Sequence, residues 1–296
     1  MSNQNNPLVS VIIPCYNHEQ FVQECIQSVI DQDYKNIELI IIDDGSKDQS
    51  VQKIEEMRSQ CEKRFVRFEF RHRPNKGLCA TLNEALDLIQ GEYVAISASD
   101  DLSLQNRISV SLDAIRQHEA DVIFGNAILM SANREISIPH PHFHKISFDD
   151  LFLRKFIPYA PTSFFDVLSL KQVGGFDTSY KIEDYPLWLK MTCLHMKLIA
   201  VPDVLIKYRA HENNLSSNLD LMEKEVQKIL GEYKHVIDYE DAIKIFNSMI
   251  FYINSISNKK KSINILLSKK VKINKDFIKG TINLIIPIKF RGWFKK

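Results

Sequence analysis

The sequence predicts an α/β fold organised on a doubly wound, mostly parallel sheet. Three observations point there. Short apolar runs rich in Ile and Val alternate with segments whose apolar residues recur at helical spacing, the pattern of βαβ units. The runs end in polar or acidic loops, as strands do at the carboxyl edge of an open sheet, where ligands bind. Residues 91–101, GEYVAISASDD, show this most clearly: an apolar Tyr93-Val94-Ala95-Ile96 run feeds two adjacent carboxylates, Asp100 and Asp101.

Residues 8–13, closed by Pro14, read as a buried first strand. Phe21, Val22, Cys25, Ile26 and Val29 then mark a helix. Residues 37–42 form a second strand, ending in the acidic loop Asp43-Asp44-Gly45-Ser46-Lys47-Asp48, with a helix to about Cys61. Residues 65–70 alternate like a third strand. Asn75-Lys76-Gly77 breaks the chain before a helix over 78–89, and the strand 93–96 follows. The loops Tyr16-Asn17, Asp43-Asp44 and Asp100-Asp101 then open on one edge. No GxGxxG follows the first strand and no GxxxxGK[ST] exists, which argues against a dinucleotide fold and excludes a P-loop.

A helix is expected over about 104–118, a strand over 121–124, and a hairpin or meander over 126–138 that turns at Ala132-Asn133-Arg134. His140, His142 and His144 alternate in a loop. They could share a metal, but with prolines nearby and no matching carboxylate or Cys the segment reads as surface. Residues 148–156 read as a short helix, 161–165 as extended, and Gly174-Gly175-Phe176-Asp177 as a turn. Glu183-Asp184-Tyr185-Pro186 opens a helix with Pro in its first turn. Alone, those two acids read as N-cap or dipole partners. Residues 198–201 and 204–208 read as two strands, and 221–255 as one or two helices. The expected division is an α/β domain over 1–217 and a helical, basic extension over 218–296.

Hydrophobic content of 45% and charged content of 25% are ordinary for a soluble globular protein, and a net charge of +1 implies no steering toward nucleic acid. Residues 257–296, however, carry eleven Lys and one Arg against one acid, Asp276, so the remainder is net acidic. Phe290, Trp293 and Phe294 beside Lys289, Arg291, Lys295 and Lys296 read as an interfacial anchor on a membrane surface. A helical cap with a solvated basic face is the alternative, and no nucleic-acid module is recognisable. Five Cys without a CxxC pair fit free thiols in a reducing cytosol. Neither a signal peptide nor a run of about twenty apolar residues is found. The expectation is a cytoplasmic protein, peripheral on the inner face of the cytoplasmic membrane.

Adjacent carboxylates repel unless a cation lies between them and an anionic ligand, and hard oxygen donors suit Mg²⁺ or Mn²⁺. A solvated Asp-Asp turn capping the next helix is the alternative.

Six segments stand in the order and spacing of one family: VSVIIPCYNHEQFVQECIQSVIDQ, IELIIIDDGSKDQS, RPNKGLCATLNEAL, GEYVAISASDD, VGGFDTSYKIEDYPLWLKM and YRAHENNLS. On these, residues 7–217 resemble the family 2 inverting glycosyltransferases of the GT-A fold. The resemblance implies a nucleotide-sugar half over about 7–125 and an acceptor half over about 126–217. It places Pro14, Tyr16 and Asn17 in the base pocket, with Asp43, Asn75 and Gly77 in the same donor site, and Asp44 against a uracil or thymine ring. It places Asp100 on ribose or metal, Asp101 on a divalent cation, Mn²⁺ or Mg²⁺, and Arg209 and His211 on the diphosphate. Glu183-Asp184 matches the family's ED motif, with Asp184 as general base. The implied reaction moves a sugar from a UDP- or dTDP-sugar to a saccharide, lipid-linked in the fuller reading, for surface polysaccharide of O-antigen or capsule type. One departure stands out: Ala98-Ser99-Asp100-Asp101 lacks the first acid of the usual D-x-D-D. A catalytically inactive nucleotide-sugar-binding protein therefore stays open. A sugar-nucleotide pyrophosphorylase is the more distant alternative, because PCYNHEQ is not a Gly- and Arg-rich loop.

Overall fold

A computed structural model describes residues 6–131, 134–137, 142–211 and 214–285. The Ala132-Asn133 turn, His140 and the tail with Phe290, Trp293 and Phe294 lie outside the described residues. Two compact units are present: Met1–Phe148 with Pro158–Ser217, and Asp149–Ile157 with Asn218–Lys296.

The first unit begins β1 (Val9–Cys15), α1 (Val22–Ile30), β2 (Ile37–Asp43), α2 (Ser50–Arg64), β3 (Arg67–His72), α3 (Leu78–Leu88) and β4 (Tyr93–Ile96). All pairings here are parallel: Val9 opposes both Ile37 and Tyr93, and Glu38 opposes Arg67. β1 and β2 are buried nearly throughout, which explains their unbroken apolar runs. Inside β2, before its terminal Asp43, Glu38 is the exception. Its fully buried carboxylate accepts from Ser10 Oγ at 2.7 Å, Arg67 Nη1 at 2.8 Å and the Gly91 N–H at 3.0 Å. Those three donors satisfy the carboxylate inside the core.

The chain continues through β5 (Leu102–Ser103), α4 (Arg107–Gln117), β6 (Val122–Ser131), β7 (Arg134–Ser137), β8 (His144–Ile146), α5 (Phe148–Phe152), β9 (Phe164–Asp166), α6 (Val167–Gln172), α7 (Asp184–Cys193) and β10 (Leu198–Arg209). The sheet order is β3-β2-β1-β4-β9-β6-β10-β5, with β7 on β6 and β8 on β10. β9 is antiparallel to both β4 and β6, while β6 and β10 are parallel. The parallel character is thus concentrated in the first half of the sheet.

Several boundaries differ from expectation. The strand 121–124 and the first arm of the hairpin are one ten-residue strand, β6, and β7 is the returning arm. Gly125 lets the strand pass: a Cβ there would sit 2.4 Å from the Leu205 side chain and 2.8 Å from the Asp203 carbonyl. The two strands predicted over 198–208 are likewise one, β10, whose register to β6 shifts between Ala200 and Ile206 around Pro202. Helix α4 begins at Arg107 rather than 104, because residues 102–103 pair with β10 and the Leu104 N–H donates to Leu205. His144 begins a strand rather than ending a loop, and α5 stops at Phe152.

The second unit holds all of α5 but its first residue, together with α8 (Leu219–Glu232), α9 (Tyr239–Ser257), α10 (Lys259–Ser268) and α11 (Lys275–Ile285). Helix α9 is its centre, burying Ala242, Phe246, Ile250 and Phe251. Ser262 Oγ on α10 donates to the Phe251 carbonyl, and Gly280 on α11 admits the Phe251 ring, where a Cβ would lie 2.4 Å away. No described helix is long and apolar enough to cross a membrane.

Candidate active site

Three turns at the carboxyl ends of β1, β2 and β3 are tied together by hydrogen bonds. The Asn17 N–H donates to Ser46 Oγ at 2.8 Å, and the Lys47 N–H returns to Asn17 Oδ1 at 2.8 Å. Asn17 holds a left-handed φ of 55°, which Asn tolerates better than most residues. Asp43 is fully buried and turned into its own loop, accepting from the Ser46 N–H at 2.9 Å and from His72 Nδ1 at 2.8 Å. Asp44 faces the next turn. Its Oδ1 accepts from the Lys76 N–H at 2.8 Å and pairs with Arg73, and its Oδ2 accepts from the Gly77 N–H at 2.9 Å. Gly45 has no room for a side chain, since a Cβ would meet Asn75 N at 2.6 Å. Tyr16 and Asn75 stay exposed on this edge.

The loop after β4 builds a buried charge cluster. Asp100 Oδ2 lies 2.9 Å from His211 Nε2 and 3.9 Å from His18 Nε2. One ligating atom from each of His18, Asp100 and His211 falls within 4.8 Å of the others. Ser99 Oγ, 2.7 Å from His18 Nδ1, orients that ring, and Phe21 stacks on His211 at 4.9 Å. Arg209 binds the loop from its other side. Its Nε donates to the Asp100 carbonyl at 2.9 Å, its N–H to Asp101 Oδ1 at 2.8 Å, and its Nη2 to Glu24 at 2.6 Å. Its guanidinium also covers the Phe21 ring at 4.9 Å.

Two polar atoms of this cluster, Asp101 Oδ2 and His211 Nδ1, are buried without a hydrogen-bond partner. Burial, followed by the charge of Asp100, pushes the Asp101 carboxyl up to about 8. Burial also lowers His18 below the ordinary imidazole range, favouring the neutral ring that a metal requires. A carboxylate, two imidazoles and an orphaned carboxylate oxygen fit a divalent cation. The imidazoles tilt the set away from Mg²⁺ toward a transition ion.

Beside the cluster is a pocket walled by Leu78, Leu82, Phe165, Phe176 and Trp188. Pro14, Ala98, Glu183 and Asp184 also line it. Ala98 and Asp100-Asp101 belong to one short loop, so the pocket adjoins the cluster. Glu183 precedes α7 without donating a side-chain cap, and Asp184 Oδ1 accepts from the Tyr185 N–H at 2.6 Å. Glu183 keeps some surface on the pocket yet is deeply enclosed. Burial and the neighbouring Asp184 charge push it up to about 8. The Cys79 thiol is buried, and burial with the Glu183 charge pushes it to about 12, leaving it inert.

The family model described as "Glycosyl transferase family 2" matches residues 10–169. The chain belongs to glycosyl transferase family 2. An uncharacterized glycosyltransferase of Haemophilus influenzae is 27% identical over 282 residues, 88% of this chain and 85% of that protein. The solved structure of S. aureus TarS 1-349 in complex with UDP-GlcNAc matches with a TM-score of 0.63 at 20% identity, covering 88% of this chain and 79% of that one. Mannosyltransferase PcManGT from Pyrobaculum calidifontis, in complex with GDP-Man and Mn²⁺, matches with a TM-score of 0.64 at 15% identity, covering 98% and 88%. At these identities the two structures speak for the shared GT-A fold.

In this glycosyltransferase the residues singled out from sequence fall into three groups. Tyr16, Asn17, Asp43, Asp44, Asn75 and Gly77 form the tied turns. Asp100, Asp101, Arg209 and His211 form the charge cluster. Glu183 and Asp184 lie with Pro14 on the pocket. Sequence reasoning missed His18, Arg73 and Arg107. His18 stood in the quoted PCYNHEQ loop, but the side chains its ring joins in the cluster, Ser99, Asp100 and His211, are 81 and more positions away. Arg107 is fully buried and donates to Ser97, Ser103 and the carbonyls of Ile96 and Pro161, locking the β4 loop to the 160–162 turn. Nothing local marks it: an Arg opening a helix reads as solvated.

Proposed function

We propose that this enzyme is an inverting glycosyltransferase that moves a sugar from a UDP- or dTDP-sugar to a saccharide hydroxyl. The observation that carries this is the placement of Glu183 and Asp184 in a pocket whose wall, Ala98, belongs to the Asp100-Asp101 loop. Acceptor base and diphosphate site then adjoin. The Asp184 carboxylate takes the acceptor proton as that oxygen attacks the anomeric carbon, and the bond to the diphosphate breaks on the opposite face, inverting configuration. Burial and the Asp184 charge keep Glu183 protonated below about 8, so Glu183 does not compete with Asp184 as the base. A divalent cation at His18, Asp100 and His211, with Asp101 beside them, would offset the charge gathering on the leaving diphosphate. Of the two ions expected, the imidazoles favour Mn²⁺ over Mg²⁺.

The UDP-GlcNAc of TarS and the GDP-Man of PcManGT support a nucleotide-sugar donor. Asp44 favours a uracil or thymine base. A carboxylate offers about four acceptor positions. Three are filled by Arg73, Lys76 and Gly77, leaving one on Oδ2 for an imide N–H. The basic extension supports a lipid-linked acceptor at the inner face of the cytoplasmic membrane, and with it a surface polysaccharide as product.

The test is thermal stabilisation by UDP, dTDP and GDP, each with and without Mn²⁺, followed by NMR of the product's anomeric configuration. Stabilisation by UDP or dTDP and an inverted product are expected. A retained configuration, or full turnover by Asp184→Asn, would overturn the mechanism.

A further inference from the structure

The second unit carries an outward surface that the catalytic reading does not use. On α11, Lys275, Ile278, Lys279 and Ile282 recur at i, i+3, i+4 and i+7 and are all exposed. The other side of that helix is spent on α9, where Phe277 meets Phe251 at 5.6 Å and Gly280 admits the same ring. On α10, Lys260, Ile263 and Leu267 form a second exposed row, while Ser262 and Ile265 are buried. Leu267 is 82% and Ile278 53% exposed. Lys259 Nζ lies 3.5 Å from the Leu284 carbonyl, so the start of α10 adjoins the end of α11. Isoleucine interleaved with lysine on a solvent-facing helix is not what a solvated face needs.

We infer that these two rows dock the enzyme onto an anionic lipid bilayer. Ile263, Leu267, Ile278 and Ile282 enter the boundary between headgroups and acyl chains, and Lys260, Lys275 and Lys279 meet the anionic headgroups. The charge pattern selects this occupant. Lys261, Lys269 and Lys272 are neutralised by Asp220, Glu223 and Asp241, whereas Lys260 and Lys275 make no ion pair among the described residues. Lysine is depleted from protein–protein interfaces, and a second copy would set lysine against lysine. The inference rests on the membrane-side reading above and assigns it to a defined surface.

The full chain is sedimented with vesicles of equal parts phosphatidylglycerol and phosphatidylcholine, and with phosphatidylcholine alone. Binding only to the anionic vesicles is expected. Ile278→Asp/Ile282→Asp should lower it by at least about tenfold with an unchanged far-ultraviolet circular dichroism spectrum, and Lys275→Glu/Lys279→Glu should lower it comparably. Leu168→Asp, a substitution of a 78% exposed residue on α6, should leave it unchanged. If the isoleucine variant fails to fold, the lysine variant decides. Wild-type binding that folded variants match, or that Leu168→Asp weakens equally, overturns the face while the membrane reading stands. A wild-type chain that ignores anionic vesicles overturns both.

Discussion

His211 Nε2 lies 2.9 Å from Asp100 Oδ2 across 111 positions of sequence. This contact carries the end of β10 onto the β4 loop and completes a three-residue donor set with His18. Mn²⁺ added with UDP should therefore raise the melting temperature, by about 2.7 kcal/mol of stability at a hundredfold excess over Kd. His211→Ala should abolish the increment due to Mn²⁺ and leave a smaller one due to UDP alone. Mg²⁺ should act more weakly on the wild type. An unchanged Mn²⁺ response in His211→Ala would remove that imidazole from the cation site.

Asp184→Asn keeps the shape of the pocket and removes the carboxylate proposed to take the acceptor proton. Turnover should fall by about 10²–10⁴-fold. Stabilisation by UDP should persist, because the donor turns and the charge cluster do not include this side chain. Equal losses of donor binding and turnover would show Asp184 holding the site together instead.

Glu183 gives a stability signature in pH. Its folded value, about 8, lies above the ordinary 4.5, so between those values the folded state holds a proton that the unfolded chain has released. Its contribution is full below about 4.5 and is lost as pH rises through about 8. Glu183→Gln should flatten that decline and raise the melting temperature at pH 9 by about 4 °C. A parallel displacement of the whole curve would mean that Glu183 ionises normally.

Gly91 is packed against β1. A Cβ there would lie 2.5 Å from Ser10 Oγ, 2.8 Å from Ser10 N and 2.9 Å from the Leu8 carbonyl. Two of those atoms are backbone, and the hydroxyl is held by Glu38. Gly91→Ala should cost about 1–3 kcal/mol, read as a lower denaturation midpoint with an unchanged slope. A neutral result would mean that the strand ends shift freely.

Much of the first half of the sheet was legible in the sequence. β1, β2 and the helices after them bury one kind of residue at one period, so each could be read locally. Residues 161–165 read as extended and overlap β9, but a three-residue strand carries no period that shows its partners, and the two-residue β5 carries no signal at all. The break read between the strand 121–124 and the hairpin 126–138 falls at Gly125, which is instead a close approach to β10 that only the neighbouring strand explains. The same holds in the site. Asp100, Asp101 and Asp184 were singled out from loop position and motif order. His18 was not, because its role comes from a ring reached across the fold.

β9 lies between β4 and β6 although the chain makes it after both. While the protein is being synthesised, β1 to β4 can pair as soon as they emerge. The outer edge of β4 must then wait about seventy residues for Phe164–Asp166, roughly 3–14 seconds at about 5–20 residues per second. Through that interval Tyr93–Ile96 presents an open, apolar strand edge, and β6 has no place to dock. The nascent chain is thus most exposed to mispairing, and most in need of a chaperone, just after β1 to β4 have paired.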